Sequence, residues 1–215
     1  MCGRFTQKQK AAIIAKMHGV EKVVAEVSAS FNICPGQDVA AIASHKERRL
    51  GLLRWGLPSL RAGGRPLINA RAETLTEKPT FARLLENRRC LIVADGFYEW
   101  RQIDGRKLPV YIHMQDQSSF VLAGLWDAAV LEDGKRQVYG AIITTSANRL
   151  ISPIHDRMPV ILPMSAIDAW LDPKFKDVGT LLQPYPEDAM AWYPVSDAVN
   201  APKNDGPELI IPLAG

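Results

Sequence analysis

Short apolar segments separated by turn-forming residues are the feature that most limits the possible folds of this chain. Runs of this length, rich in β-branched and aromatic residues, are typical of strands. They are Val39–Ala43, Leu50–Trp55, Cys90–Ala94, Val110–Met114, Phe120–Leu125, Gln137–Thr144 and Trp192–Val195. Because helices do not alternate regularly with these strands, the pattern predicts an α+β fold with a predominantly antiparallel, barrel-like β core and peripheral helices.

Three other stretches have helical spacing and follow residues that are able to cap a helix. They are Ala11–Met17 behind Thr6 and Gln9, Phe81–Arg88 behind Thr80, and the segment with Ile167, Trp170 and Leu171 behind Ser165. Glycine and proline predict loops, which are Asn32–Gly36, Gly56–Pro66 and the hairpin turn at Asp133 and Gly134. Since no repeat or clear linker interrupts the chain, we predict one compact domain over residues 1–215.

The composition is that of an ordinary globular protein, with 47% hydrophobic and 23% charged residues. No run of about 18 uncharged apolar residues is present, which excludes a membrane-spanning helix. No apolar segment of a secretory signal follows Arg4, and Cys2, Cys34 and Cys90 form no C-x-x-C pair. We therefore expect a protein of the reducing cytoplasm, without a membrane partner, a metal or a cofactor.

Charge is distributed unevenly along the chain, although the formal net charge is only +3. Between His45 and Lys107 there are 14 lysines and arginines against 7 acidic residues, whereas between His155 and Gly215 the numbers are 4 and 9. Such asymmetry predicts a basic face that can follow a phosphate backbone. The alternative is that the two blocks intermix on folding and the asymmetry averages out.

The start of the chain, Met1-Cys2-Gly3-Arg4-Phe5, carries the least common chemistry. If Met1 is removed, Cys2 presents an α-amine and a thiol on neighbouring carbons, with pKa values of about 8 and about 8.5. The amine of such a pair reacts with an aldehyde to give an imine, which the thiolate closes into a thiazolidine ring. On a basic surface, the natural aldehyde that matches is the opened sugar of an abasic site in DNA. The alternative is a frayed terminus without a function.

Asn69, Arg71 and Glu73 occupy alternating positions, so on an extended chain they share one face. Asn69 can orient a sugar hydroxyl or aldehyde, and Arg71 can hold a phosphate through two hydrogen bonds. The alternative is a solvated strand edge.

Glu99 and His155 are candidates for proton transfer. Glu99 lies between two aromatic residues at the end of an apolar strand, and apolar surroundings raise the pKa of a carboxyl group towards the range of acid–base catalysis. His155 lies in a loop that enters a strand, where it can protonate a sugar ring oxygen while Asp156 or Arg157 fixes the loop. The alternatives are an exposed strand carboxylate and a structural histidine.

Taken in order along the chain, six motifs resemble those of the SRAP family, the SOS-response-associated peptidases or abasic-site processing proteins. They are Met1–Phe5, Asn32–Gly36, Trp55–Leu57, Asn69–Thr74, Asp95–Trp100 and His155–Pro159. Near the C-terminus, Val195-Ser196 and Val199-Asn200 extend the resemblance over nearly the whole chain.

The resemblance implies an enzyme of the DNA damage response that crosslinks covalently to abasic sites in single-stranded DNA through a Cys2 thiazolidine. It implies that Asn69 hydrogen-bonds the reacting sugar, that Glu99 is the acid–base group, and that His155 assists sugar opening and crosslink reversal. It also implies removal of the protein's own leading residue and cleavage of abasic DNA through the imine. The implied DNA contacts are Arg4, Asn32, Pro35, Gly36, Trp55 and Arg71. We expect a monomer that associates with the nucleoid when it is bound to DNA.

The loop at Gly56–Pro66 departs from this resemblance, because family members often carry a tryptophan-rich segment there. Stacking of bases on aromatic rings contributes about 1–3 kcal/mol per base. With Arg61 and Arg65 in place of the rings, we expect weaker and more salt-sensitive DNA binding than in tryptophan-bearing relatives.

Two other classes of protein fit parts of the sequence. Amidotransferases with an N-terminal cysteine also begin Met-Cys-Gly, but they usually continue with an apolar residue in place of Arg4 and need an Asn-Gly segment that this chain lacks. A non-catalytic single-stranded DNA-binding module would leave Glu99 and His155 with structural roles only.

Overall fold

Strands form most of the regular structure. The computed structural model describes residues 2–44, 46–59 and 63–213. The strands are β1 (Phe5–Gln7), β2 (Lys22–Val23), β3 (Ser30–Ile33), β4 (Asp38–Ser44), β5 (Arg48–Trp55), β6 (Asn69–Arg71), β7 (Arg89–Ala94), β8 (Gly96–Ile103), β9 (Arg106–Met114), β10 (Phe120–Val130), β11 (Arg136–Ser146), β12 (Arg157–Pro159), β13 (Ile161–Leu162) and β14 (Met190–Pro194).

Helices are short and lie between these strands. The α-helices are α1 (Ala11–Met17), α2 (Pro79–Asn87) and α3 (Ile167–Leu171). Short 3-10 helices cover Ala72–Thr74, Met164–Ala166, Val178–Leu181, Glu187–Ala189, Asp197–Asn200 and Pro207–Ile210. Among the described residues, none of the helices has the length and apolar character that crossing a membrane requires.

Five strands close into a barrel. The order β11-β10-β7-β4-β5 is antiparallel throughout, and β5 returns to β11 as a parallel neighbour, with Gly140 beside Trp55. A Cβ at Gly140 would lie 2.8 Å from the Leu53 side chain, so the closure needs glycine there. The structure confirms the predicted α+β fold with a mainly antiparallel, barrel-like core.

A second sheet, with the order β14-β9-β8-β1-β3, lies against the barrel and is antiparallel throughout. The chain enters it from β7 through Asp95 and Gly96, where a Cβ would lie 2.3 Å from the ring of Tyr111. Because β1 pairs with β8 and β3, the first residues of the chain lie beside the strand that carries Glu99.

Two large apolar clusters form the core. One joins the helices to the barrel strands through residues such as Ile14, Leu84 and Trp170. The other surrounds the beginning of the chain and includes Cys2 and Phe5. The N-terminal segment is therefore packed into the core, which differs from the frayed terminus considered from sequence.

The predicted strands are confirmed, most of them with longer bounds. Several short or polar segments that form strands were not predicted as such: β1, β2, β3, β13 and β8, which carries Glu99 in its interior. Asn32 and Ile33 were assigned to a loop but end β3, so the turn begins only at Cys34. In the predicted loop Gly56–Pro66, Leu57 bridges to Leu67, and residues 60–62 lie outside the described residues.

The predicted helices form, but the predicted caps do not. The N-cap residues are Lys10, Lys78 and Ala166, and none of them accepts a side-chain hydrogen bond. Thr6 lies instead in β1, where its hydroxyl is 2.8 Å from the hydroxyl of Tyr111. At Thr6, pairing with distant strands determines the local structure, and the local sequence does not predict that pairing.

Candidate active site

Cys2 is fully buried at the point where the second sheet meets the barrel. Burial raises the pKa of its thiol well above the usual range, and the nearby carboxylate of Glu99 raises it further. The backbone carbonyl of Cys2 accepts a hydrogen bond of 2.8 Å from Nδ2 of Asn69. The first residues are thus held in one position, and the thiol is kept in its neutral form.

Asn69 reaches Cys2 from the barrel. It begins β6, which pairs in parallel with β11 and places Asn69 beside Ile142. While Nδ2 donates to Cys2, the Oδ1 atom is buried and has no hydrogen-bond partner among the described residues. A buried acceptor of this kind is costly unless a donor reaches it, so Asn69 is able to receive an N–H or O–H group at the site.

Glu99 reaches the same place from the second sheet. It lies inside β8, opposite Val110 of β9, and its residue surface is only 4% exposed. Burial raises the pKa of the carboxyl group, and the nearby His155 partly opposes that rise. Glu99 therefore lies within electrostatic range of both the thiol of Cys2 and the imidazole of His155.

His155 is half-buried, and its Nδ1 atom has two neighbours. It accepts a hydrogen bond of 3.0 Å from the backbone N–H of Arg157 and lies 2.8 Å from Oδ1 of Asp156. One nitrogen cannot accept and donate at once. The contact with the N–H of Arg157 corresponds to a ring that carries its proton on Nε2, and the contact with Asp156 corresponds to a ring that carries a proton on Nδ1.

Arg157 fixes the loop that carries His155, as predicted. Its guanidinium group makes two hydrogen bonds to the carboxylate of Glu73, of 2.7 and 2.9 Å, and a third to the carbonyl of Thr144. The first of these contacts lowers the pKa of Glu73. The prediction that Glu73 shares a face with Asn69 and Arg71 is wrong, because the strand ends at Arg71 and Glu73 lies in a 3-10 helix.

A cleft of about 480 Å³ adjoins these groups. Its lining residues are Glu99, Trp100, Lys107, His155 and Asn200. The ring of Trp100 is held there, since its Nε1 donates to Oδ1 of Asn200 over 2.8 Å. Two of the four predicted catalytic residues, Glu99 and His155, therefore line the cleft. Of the other two, Cys2 is fully buried and Asn69 is half-buried, and neither is among the lining residues.

Arg4 and Asn32 hold the C-terminal segment against the second sheet. Nη1 of Arg4 donates to Oδ1 of Asn32 and to the carbonyl of Val199, each over 2.7 Å. Asn32 is 1% exposed and donates in turn to the carbonyls of Val199, Ala201 and Asn204. In this conformation Asn32 supports the wall of the cleft, and its predicted contact with DNA stays a prediction.

The other predicted DNA contacts differ in exposure. Arg71 is exposed at the end of β6, and Pro35 and Gly36 are exposed in the turn after β3, with Gly36 at φ +87°. Trp55 is fully buried: its ring packs edge-on against Phe5, and its Nε1 donates to the carbonyl of Ile68. In this conformation the Trp55 ring belongs to the core, and its predicted contact with DNA stays a prediction.

The loop between β5 and β6 is described only in part. Arg65 is exposed there. Arg61, which was expected to replace a stacking ring, lies outside the described residues.

Sequence reasoning missed Lys107, which joins the cleft through the hairpin of β8 and β9. No local motif marks it, because its neighbours are other charged residues of the hairpin. Within the described part of the chain, no group of three or more histidine, cysteine, aspartate or glutamate side chains is placed to hold a metal ion.

Fold and site together define a protein that holds an N-terminal cysteine, a buried carboxyl group and an imidazole between a closed barrel and a second sheet. A sequence model of the family described as "SOS response associated peptidase (SRAP)" matches residues 1–202. The chain belongs to this family.

Relatives and solved structures are similar over nearly the full length. Abasic site processing protein YoqW of Bacillus subtilis (strain 168) is 42% identical, over 98% of this chain and 99% of its own. Abasic site processing protein YedK of Escherichia coli (strain K12) is 30% identical, over 99% and 100%. A crystal structure of a protein from Bacteroides thetaiotaomicron has a TM-score of 0.88 at 25% identity and covers 99% of this chain and 100% of that one.

Proposed function

We propose that this protein processes abasic sites in single-stranded DNA by forming a covalent crosslink through Cys2. The observation that carries the proposal is the convergence of four distant segments: Asn69 donates to the carbonyl of Cys2, Glu99 lies within electrostatic range of the Cys2 thiol, and His155 lies within electrostatic range of Glu99. Family membership and the names of the relatives, abasic site processing proteins, support the same substrate.

The crosslink requires that Met1 is removed, so that Cys2 carries a free α-amine. The amine attacks the aldehyde of the opened sugar, a C–N bond forms, and the aldehyde oxygen leaves as water with two protons. The sulfur of Cys2 then adds to the same carbon while its proton passes to the imine nitrogen, which gives a thiazolidine ring. Because the thiol is held neutral by burial and by Glu99, the amine reacts first and the sulfur completes the ring.

The surrounding side chains supply positioning and proton transfer. Asn69 holds the backbone of Cys2, and its free Oδ1 accepts a hydrogen bond from the sugar or the amine. Glu99, with its raised pKa, carries protons between the amine and the departing water. His155 donates a hydrogen bond from Nε2 to the ring oxygen when the sugar opens, and the proton that this oxygen gains is balanced by the one that the hydroxyl group on the anomeric carbon loses as the aldehyde forms. Tethered reactants of this kind reach effective molarities of about 10⁵–10⁸ M.

We assign two related activities to the same groups. Hydrolysis of the peptide bond between Met1 and Cys2 frees the amine and accounts for the word peptidase in the family description. The imine also acidifies the neighbouring C–H bond of the sugar. Loss of that proton expels the adjacent phosphate by β-elimination, which cleaves the strand as a lyase does. We propose that the protein acts as a monomer on single-stranded DNA of the nucleoid, without a cofactor.

Intact-mass spectrometry with an abasic oligonucleotide tests the proposal. We expect the wild-type protein to lose the mass of Met1 and to gain the mass of the oligonucleotide less one water, in a heat-stable adduct. Cys2→Ala should form no stable adduct, while Cys34→Ala, which removes the thiol of a second buried cysteine, should react like the wild type. A stable adduct on Cys2→Ala would contradict the thiazolidine. Equal binding of intact and abasic DNA without any adduct would indicate a simple DNA-binding module.

A further inference from the structure

Lys107 is, among the described residues, the only lysine or arginine that lines the cleft beside Glu99 and His155. It lies in β9 and is exposed to solvent. Its side chain makes no hydrogen bond or ion pair within the described part of the chain, whereas its backbone pairs with Gln102 of β8. Its ammonium group is therefore available to a ligand in the cleft.

Other cations near the site are already bound to protein atoms. Nη1 of Arg4 donates to Asn32 and to the carbonyl of Val199. Arg157 makes its two hydrogen bonds to Glu73. A phosphate in the cleft would have to compete for these guanidinium groups, whereas Lys107 requires no such exchange.

The register of the second sheet places Lys107 beside Trp100. Trp100 lies opposite Pro109, and Lys107 is two residues before Pro109, so both side chains project from the same face of the sheet. On the other side of β8 lies β1, which Arg4 directly precedes. The guanidinium carbon of Arg4 lies 5.9 Å from the centre of the Trp100 ring. Lys107 of β9, Trp100 of β8 and Arg4, which directly precedes β1, thus follow one another across the sheet, a span of about 10 Å.

We propose that Lys107 binds a backbone phosphate of the DNA strand where the strand crosses Trp100, on the side of the reacting sugar opposite Arg71. Arg71 belongs to the barrel strand that also carries Asn69, whereas Lys107 belongs to the second sheet. The two cations therefore belong to different sheets, and in this proposal they bind phosphates on opposite sides of the reacting sugar. This inference rests on the proposed function, since it takes single-stranded DNA as the ligand of the cleft.

The salt dependence of binding to an intact oligonucleotide, which has no abasic site, tests Lys107 separately from the covalent chemistry. Each phosphate contact with single-stranded DNA contributes about 0.7 to the slope of log affinity against log salt. Lys107→Gln should reduce the slope by about that amount and weaken binding at low salt about two- to fivefold. Lys107→Arg, which keeps the charge, should restore the wild-type slope.

A matched control removes one positive charge elsewhere. Lys176→Gln alters an exposed lysine beside a different cavity, next to Phe175 and Val178, and should leave the slope unchanged. A wild-type slope for Lys107→Gln, or an equal reduction for Lys176→Gln, would overturn the proposal.

The outcomes separate this inference from the proposed function. If wild-type protein crosslinks abasic DNA but Lys107→Gln keeps the full slope, only the role of Lys107 fails. If the slope changes as expected but no adduct forms, the crosslinking function fails and the phosphate contact stands. Absence of any binding to single-stranded DNA would contradict both.

Discussion

Glu99 is a carboxyl group that the fold buries beside a cleft. Its position in the interior of β8, between Tyr98 and Trp100, removes water and raises its pKa, while His155 partly opposes the rise. As the pH falls, a carboxylate with a raised pKa takes up its proton at a higher pH than the carboxylate of an exposed glutamate does. Glu99 therefore exchanges protons more readily near neutral pH than an ordinary glutamate does.

Glu99→Gln tests this role. The amide keeps the shape of the side chain but cannot accept a proton, so we expect crosslinking to slow by about 10²-fold or more, with only a small loss of DNA affinity. In a plot of rate against pH, the wild-type rate should fall at low pH as acid protonates Glu99. The variant should lack this fall and should show only the pH dependence of the α-amine. Rates on an abasic oligonucleotide across pH measure both effects. Equal losses of affinity and rate would instead assign Glu99 a structural role.

At the scale of elements, the loop before β12 depends on contacts with the segment after β6. The bidentate pair of Arg157 and Glu73 joins these two parts of the chain, and the hydrogen bond from Arg157 to Thr144 joins both to β11. His155 accepts from the backbone N–H of Arg157 in the same loop. The position of the imidazole is therefore set by an ion pair that lies away from the reacting atoms.

Glu73→Gln should loosen this loop. Because Glu73 is half exposed, we expect the loss of stability to be small, about 0.5–1 kcal/mol. Crosslinking should slow several-fold, since His155 is less well positioned, and binding of intact DNA should be little changed. Asp38→Asn is the matched control, because it removes the exposed partner of Arg54 on the barrel. Wild-type crosslinking rates for Glu73→Gln would show that the pair does not position His155.

At the scale of the whole molecule, Arg48 links three elements around His18. Nη1 of Arg48 donates to the carbonyl of His18 at the end of α1, and Nη2 donates to Asp168 of α3, each over 2.6 Å. The ring nitrogens of His18 are buried without partners in the described part of the chain. Burial lowers the pKa of His18, and the charge of Arg48 lowers it further. The folded protein therefore keeps this histidine neutral.

The stability of the protein should consequently fall in mild acid. A histidine with a lowered pKa binds protons less well in the folded state, so its contribution is complete above about pH 6.5 and is lost as the pH falls below that value. His18→Leu should be at least as stable as wild type at about pH 7.5 and should lose less stability at about pH 5.5. Urea unfolding at both values is the measurement. Identical losses in the two proteins would exclude His18 as the cause.

Much of the fold followed from local patterns. The apolar runs around Ile92, Ile112 and Leu122 predicted strands that the structure confirms, because each is long and apolar enough to be recognised on its own. The short strand β1 and the polar strand β8 were missed, since they exist through pairing with each other. The prediction that Thr6 caps a helix was also wrong, because Thr6 lies in β1 and pairs with β8.

The sequence by itself determined the chemistry of the site, because the reactivity of an aminothiol, a carboxyl group and an imidazole belongs to the residue types at positions 2, 99 and 155. Only the tertiary structure decided their environment. In the folded protein Trp55 is buried, Glu73 pairs with Arg157, and Asn69 donates to the carbonyl of Cys2. These contacts join residues tens of positions apart. They depend on strand register and sheet packing, which no local stretch of sequence specifies.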